Sequence, residues 1–196
     1  MEELPDVILA STSPRRKELL TLGGVGFTVR TGHVSEEYEP GTPPAEVPEM
    51  LARRKALAAR ALSGAADIIL GADTIVLVED TILGKPADTG QAVEYLRLLS
   101  GKVHHVITGV CLVQGERIDS FSVDTRVFFR ELSSQDIDYY VTHYSPLDKA
   151  GAYAIQEWIG VRGVERIEGD YFNVVGLPVS EVIARLRTFT GEAGKG

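Results

Sequence analysis

Val7-Ile8-Leu9-Ala10-Ser11-Thr12-Ser13-Pro14-Arg15-Arg16-Lys17-Glu18-Leu19-Leu20 is the stretch on which the reading of the fold turns. Its four leading apolar residues make a short buried strand, and three hydroxyl residues then turn the chain into a helix. Ser13 is a natural N-cap, Pro14 suits the first helical position, and Gly23-Gly24 supply the stop. A strand feeding a helix through a small-residue turn points to an α/β chain.

The same turn has the chemistry of an anion cradle. Exposed N–H groups at a helix start attract anions, small side chains such as Ser11 let phosphate approach, and Arg15 and Arg16 add forked donors. Cations in the first turn of a helix are unfavourable by themselves, so Arg15, Arg16 and Lys17 favour the arrival of an anion. It is no Walker loop, because Gly-x-x-x-x-Gly-Lys is missing. An ordinary capped helix with solvated basic residues fits the same residues, and this stretch alone leaves both readings open.

Outward from it, a second helix is expected from about Thr42-Pro43 to Leu62, with Leu51, Lys55, Ala58 and Leu62 on one face. That face would lean Lys55 toward apolar surroundings. β-rich runs at Ile68 to Leu70 and Ile75 to Val78 flank Gly71-Ala72-Asp73-Thr74, and Glu79-Asp80 turns into Thr81-Ile82-Leu83. A helix follows from Asp88, with Ala92, Tyr95, Leu96 and Leu99 on one stripe and Gly101 as its stop. His105 to Val113 and Ser120 to Phe129 read as paired strands, Ser133 caps a helix through His143, and an amphipathic helix closes the chain through Leu186. The mixture predicts a mixed rather than strictly parallel central sheet. No repeat or long linker divides residues 1–196, which read as a single domain.

With 196 residues, 44% of them hydrophobic and 24% charged, the chain can bury a real core as one domain or two closely fused lobes. A net charge of -8 argues against a nucleic-acid polymer as partner, which would need a broad basic surface. No apolar run is long enough to cross a membrane, and the acidic start lacks the basic region of a secretory signal, so a cytoplasmic location is expected. Cys111 is the single cysteine, which rules out an intramolecular disulfide and a Cys-based zinc site.

Asp73 breaks an otherwise apolar run, and a carboxylate there is costly to bury unless a metal, a cation or hydrogen bonds meet it. It is the leading catalytic candidate and a candidate ligand for Mg²⁺ or Mn²⁺; the bland alternative is an exposed turn aspartate. Glu36 and Glu37 lie in an acidic loop as further candidate ligands or as solvated residues. Lys85 and Lys149, in Gly- or Pro-bounded turns, can clamp phosphate or can be surface lysines. His104 and His105 read as structural.

Taken in order, these blocks resemble the Maf family, once called septum-formation inhibitors: Leu9-Ala10-Ser11 with Ser13-Pro14-Arg15-Arg16, Gly71-Ala72-Asp73-Thr74, Lys85-Pro86 with Asp88, and Leu99-Ser100-Gly101 with His104. Asp148-Lys149-Ala150-Gly151-Ala152-Tyr153 and Asn173-Val174-Val175-Gly176-Leu177-Pro178 complete the set. The resemblance implies a two-lobed α/β fold with an elongated mixed central sheet flanked by helices, similar to the inosine triphosphate pyrophosphatases. It implies a divalent-metal-dependent nucleoside triphosphate pyrophosphatase that cuts between the α and β phosphates, a house-cleaning enzyme with a role in cell-division arrest. It puts the proton acceptor on Asp73, substrate specificity on Arg15, Thr74 and Gln156, and substrate or metal contacts on Ser11, Lys55, Lys85 and Lys149. Gly151-Ala152-Tyr153-Ala154-Ile155-Gln156 resembles the subgroup acting on dTTP and UTP, and a glutamine amide offers the donor and acceptor that a uracil or thymine edge needs. An apparent extra residue near Ser35 leaves Glu36 and Glu37 interchangeable as the acidic ligand. A homodimer is implied by the resemblance alone. Two alternatives stay open: the same chemistry on 7-methyl-GTP or a modified pyrimidine nucleotide, and a nucleotide-binding division regulator.

Overall fold

In the computed structural model, which describes residues 4–191, the opening stretch forms the buried strand β1 (Val7–Leu9) and helix α1 (Pro14–Leu22). Ser13 stands at the N-cap but its side chain makes no capping bond. Just ahead of the helix, Ser11 Oγ accepts the Ser13 N–H at 3.2 Å. Gly24, at φ +70°, turns the chain out of α1 in a conformation that suits glycine, and β2 (Phe27–Val29) lies parallel to β1.

Helix α2 (Val47–Arg60) starts later than its sequence suggests, because Pro44–Glu46 first make one 3₁₀ turn. Its buried face is also not the expected one: Leu51, Ala52, Ala56 and Ala59 are buried, whereas Leu62 lies past the helix and is exposed. The two β-rich runs around Asp73 are one unbroken strand, β3 (Ile68–Val78), parallel to β1. Asp73 is therefore a buried mid-strand residue, not a turn residue. The Glu79-Asp80 turn leads into β4 (Thr81–Leu83), antiparallel to β3.

Helix α3 (Thr89–Leu99) is capped by Asp88 Oδ1, which accepts the Gln91 N–H at 2.8 Å, and it buries Ala92, Leu96 and Leu99. Strands β5 (Val103–Gln114) and β6 (Arg117–Phe129) follow, then α4 (Ser134–His143), which has a full capping box between Ser133 and Asp136. Helix α5 (Trp158–Gly163) and strand β7 (Val164–Glu168), antiparallel to β6, were not signalled by the sequence pattern. The helix is only six residues long and contains two glycines, and the strand is largely solvated, so neither shows a clear period. Helices α6 (Tyr171–Val175) and α7 (Val179–Gly191) complete the chain.

The seven strands form one mixed sheet in the order β2-β1-β3-β5-β6-β7, with β4 joined to β3. The chain packs as two compact units whose limits fall inside β3, β5 and β6. The first unit takes the chain up to Asp73, Thr108–Ser122, and the chain from Gly176 onward. Its core includes Ile8, Ala10, Ala52, Ala56, Ile69 and Cys111. The second unit takes Thr74–Ile107 and Val123–Val175. Its larger core is built on Leu96, Leu99, Val127, Phe129, Ile137, Tyr140 and Ile159.

Within the first unit, glycine and alanine set how closely α2 lies on the sheet. A Cβ on Gly71 would meet Ala52 O at 2.3 Å, and one on Gly109 would meet Glu49 N at 2.2 Å. Helix backbone thus rests directly against strand backbone, which draws Lys55 of α2 up to Asp73 of β3.

Candidate active site

Lys55 Nζ donates to Asp73 Oδ1 at 2.6 Å and to Glu36 Oε1 at 2.9 Å. Asp73 is 9% exposed, so this ion pair is largely withdrawn from water. Glu36, in the loop before α2, is mostly solvated on its outer side at 66%. The expectation that Lys55 leans into apolar surroundings gives way here: its partners are two carboxylates. Beside them Arg16 donates from Nε to Gly176 O at 3.0 Å, and from Nη1 to Ser11 Oγ at 3.1 Å and Ala72 O at 2.9 Å. Burial lowers the Arg16 guanidinium below its usual value, and the charge of Asp73 opposes that shift. Arg16 thus ties the turn after β1, the start of the α7 segment and the residue before Asp73 into one frame.

The structure separates the two acidic loop residues. Glu36 reaches Lys55, whereas the Glu37 backbone carbonyl accepts from Arg54 Nη1 and its N–H donates to Ser35 Oγ. Arg15 is half-buried in the first turn of α1, and Thr74 follows Asp73 directly on β3. Among the described residues no group of three or more His, Cys, Asp or Glu gathers to hold a metal ion.

The remaining candidates belong to the second unit. Gly151 N–H donates to Gly84 O at 3.1 Å, which joins the turn carrying Lys149 to the turn carrying the exposed Lys85. Gly151 and Ala152 both take positive φ, +67° and +61°, so this turn is held in a conformation most residues avoid. Lys149, 5% exposed, donates to Ser145 O and to Asp148 Oδ1 at 2.8 Å, and lies 3.3 Å from Glu157 Oε1. Gln156 is exposed immediately before Glu157. Behind it, His104 Nε2 pairs with Tyr153 Oη at 2.7 Å, while His104 Nδ1 has no partner among the described residues. Burial brings the His104 imidazole down to about 3, with His105 adding to the shift.

The Maf-like protein family model matches residues 6–189, nearly the whole chain. The chain belongs to the Maf family. Among its relatives, a protein of Bacteroides fragilis named dTTP/UTP pyrophosphatase is 48% identical over 92% of this chain and 94% of its own. A protein of Phocaeicola vulgatus with the same name is 49% identical over the same shares, and one of Cytophaga hutchinsonii is 45% identical over 92% of this chain and 83% of its own. Within this Maf chain, two residues of the Lys149 cluster went unnoticed in the sequence. Tyr140 looks like one more apolar position on α4, and Glu157 follows Gln156 without any spacing signal. Only the fold brings them together. Among the described residues, no helix is long and apolar enough to cross a membrane.

Proposed function

We propose that this Maf-family chain is a nucleoside triphosphate pyrophosphatase that hydrolyses dTTP and UTP to the nucleoside monophosphate and pyrophosphate. The observation that carries the reading is the buried Asp73 carboxylate, held by Lys55 beside Glu36, in a chain whose relatives bear that activity in their names. It acts as one domain in the cytoplasm, on free nucleotides and not on nucleic acid.

The donor set fits a hard divalent cation such as Mg²⁺ or Mn²⁺, because Asp73 and Glu36 bring carboxylate oxygens within 2.6 and 2.9 Å of one cationic nitrogen. Two protein carboxylates suffice for an ion that completes its shell with water and phosphate oxygens. When bound, such an ion neutralises charge on the triphosphate. Asp73 accepts a proton from water as the water oxygen joins the α phosphorus, and the bond from that phosphorus to the bridging oxygen breaks to release pyrophosphate. Lys55 orients the Asp73 carboxylate, while Arg15, Lys85 and Lys149 stabilise negative charge on phosphoryl oxygens. Arg16 and Ser11 hold the phosphate-facing turn in shape. Gln156 reads the base with its amide donor and acceptor, with Thr74 and Arg15 as further specificity positions.

Pyrophosphate release from a panel of nucleoside triphosphates, with Mg²⁺ or Mn²⁺, tests the reading. Wild type should turn over dTTP and UTP, and Asp73→Asn should lower kcat about a thousandfold while nucleotide binding stays measurable. Near-normal turnover in Asp73→Asn would remove that residue from the chemistry, and an inert wild type would overturn the enzyme itself.

A further inference from the structure

The turn that presents Gln156 is bonded to the hydroxyl of a side chain in the core of the second unit. Tyr140 is wholly buried on α4, packed in the core of the second unit and stacked on Tyr144 with ring centroids 5.0 Å apart. Its hydroxyl nevertheless makes two polar contacts with one short segment: it accepts the Ala154 N–H at 3.2 Å and donates to Glu157 Oε2. Those two residues bracket Gln156. Glu157 N–H closes the turn on Ala154 O at 3.1 Å. A Cβ on Gly160 would meet Ile155 O at 1.7 Å, so the following helix start presses against the same turn. Tyr153, just before it, is tied to His104. The other oxygen of Glu157 faces Lys149 at 3.3 Å.

A glutamine side chain has enough rotatable bonds to miss its target unless its backbone is fixed, and recognition by a single amide tolerates only about 0.5 Å of misplacement. A hydroxyl on a rigid helix, bonded to both ends of the turn, supplies that fixity. We propose that Tyr140, acting with Glu157, is the positioning residue for base recognition: it holds the Ala154–Glu157 turn so that the Gln156 amide meets the pyrimidine edge. The inference rests on Gln156 reading the base. It also makes Glu157 the link between the base-reading turn and Lys149.

The test compares the ratio of kcat/KM for UTP to that for CTP in wild type, Tyr140→Phe, Glu157→Gln and Glu157→Ala, with thermal unfolding of each. Tyr140→Phe keeps the ring and removes both polar contacts, so the ratio should fall about tenfold while kcat for UTP stays within about threefold. Glu157→Gln keeps an oxygen to accept from Tyr140 and should retain most of the ratio, whereas Glu157→Ala should lose it. A merely structural role would shift unfolding and leave the ratio untouched. A wild-type preference unchanged in folded Tyr140→Phe overturns the positioning role alone; should that variant not fold, an unchanged ratio in Glu157→Ala overturns it. A wild type that turns over UTP and CTP equally overturns this role together with the base reading beneath it.

Discussion

Lys55 and Lys149 each sit between two carboxylates, and their surroundings differ. Lys55 joins the buried Asp73 on a central strand to the largely exposed Glu36 in the loop before α2. Lys149 is held by Asp148, Glu157 and the carbonyl of Ser145, in a turn with two left-handed residues, and Glu157 is itself bonded to Tyr140. In the function proposed above, the first arrangement is the one that takes a cation and a phosphate. The second is braced on every side and sets the position of what lies next to it. The same pair of charge types is thus loosely held in one place and tightly held in the other, depending on how many further bonds immobilise the carboxylates.

Substitution at each lysine should separate these roles. Lys55→Met should reduce kcat/KM for UTP about a hundredfold. It should also lower the unfolding temperature in EDTA, and Mn²⁺ should restore that temperature, because the two carboxylates left behind can share an ion. A loss that Mn²⁺ does not reverse would contradict the idea that Asp73 and Glu36 form a cation site. Lys149→Met should cost about 2 kcal/mol, a drop of about 4–8 °C for a chain of this size, with no response to Mn²⁺. Equal Mn²⁺ rescue of both variants would erase the distinction.

The smallest effect concerns acid and falls on the second unit. His104 titrates near 6.5 when unfolded and is brought down to about 3 by burial, so below pH 6.5 the unfolded chain binds the proton that the folded chain refuses. Stability from this group is complete above pH 6.5 and declines as the pH drops toward 3, by about 1.4 kcal/mol at pH 5.5. Urea unfolding at pH 7.5 and 5.5 should show that loss in wild type and a smaller one in His104→Gln. The partner hydroxyl of Tyr153, pushed above the usual phenol range by burial, stays neutral throughout.

Local signals were the most legible part of the fold. The Ser133 cap of α4, the Asp88 cap of α3 and the Glu79-Asp80 turn depend on residues a few positions apart, and each is where the sequence puts it. The face of α2 was misread because Ala52, Ala56 and Ala59 carry little hydrophobic signal. Their small size becomes meaningful only against Gly71 and Gly109 of the sheet. Asp73 stood out as a carboxylate in an apolar run, yet its place inside a continuous strand needed the pairing with β1 and β4. The different contacts of Glu36 and Glu37 could not be read from adjacent identical residues, because the partner of Glu36 is Lys55, 19 residues away.

From residue order alone came the α/β class, the mixed sheet, the family blocks and the identities of Asp73, Lys149 and Gln156 as chemically pointed residues. The class, the sheet and the standing of Asp73 and Lys149 follow from periodicity, turn chemistry and charge placed where burial is expected, all local properties of the chain, whereas Gln156 was singled out by the resemblance to the Maf family. Tertiary structure decided which lysine meets which carboxylate, that Arg16 binds backbone carbonyls and Ser11, and that Tyr140 pins the turn of Gln156. Such pairings join residues distant in sequence, and only close packing of helix on sheet brings their polar atoms within bonding range.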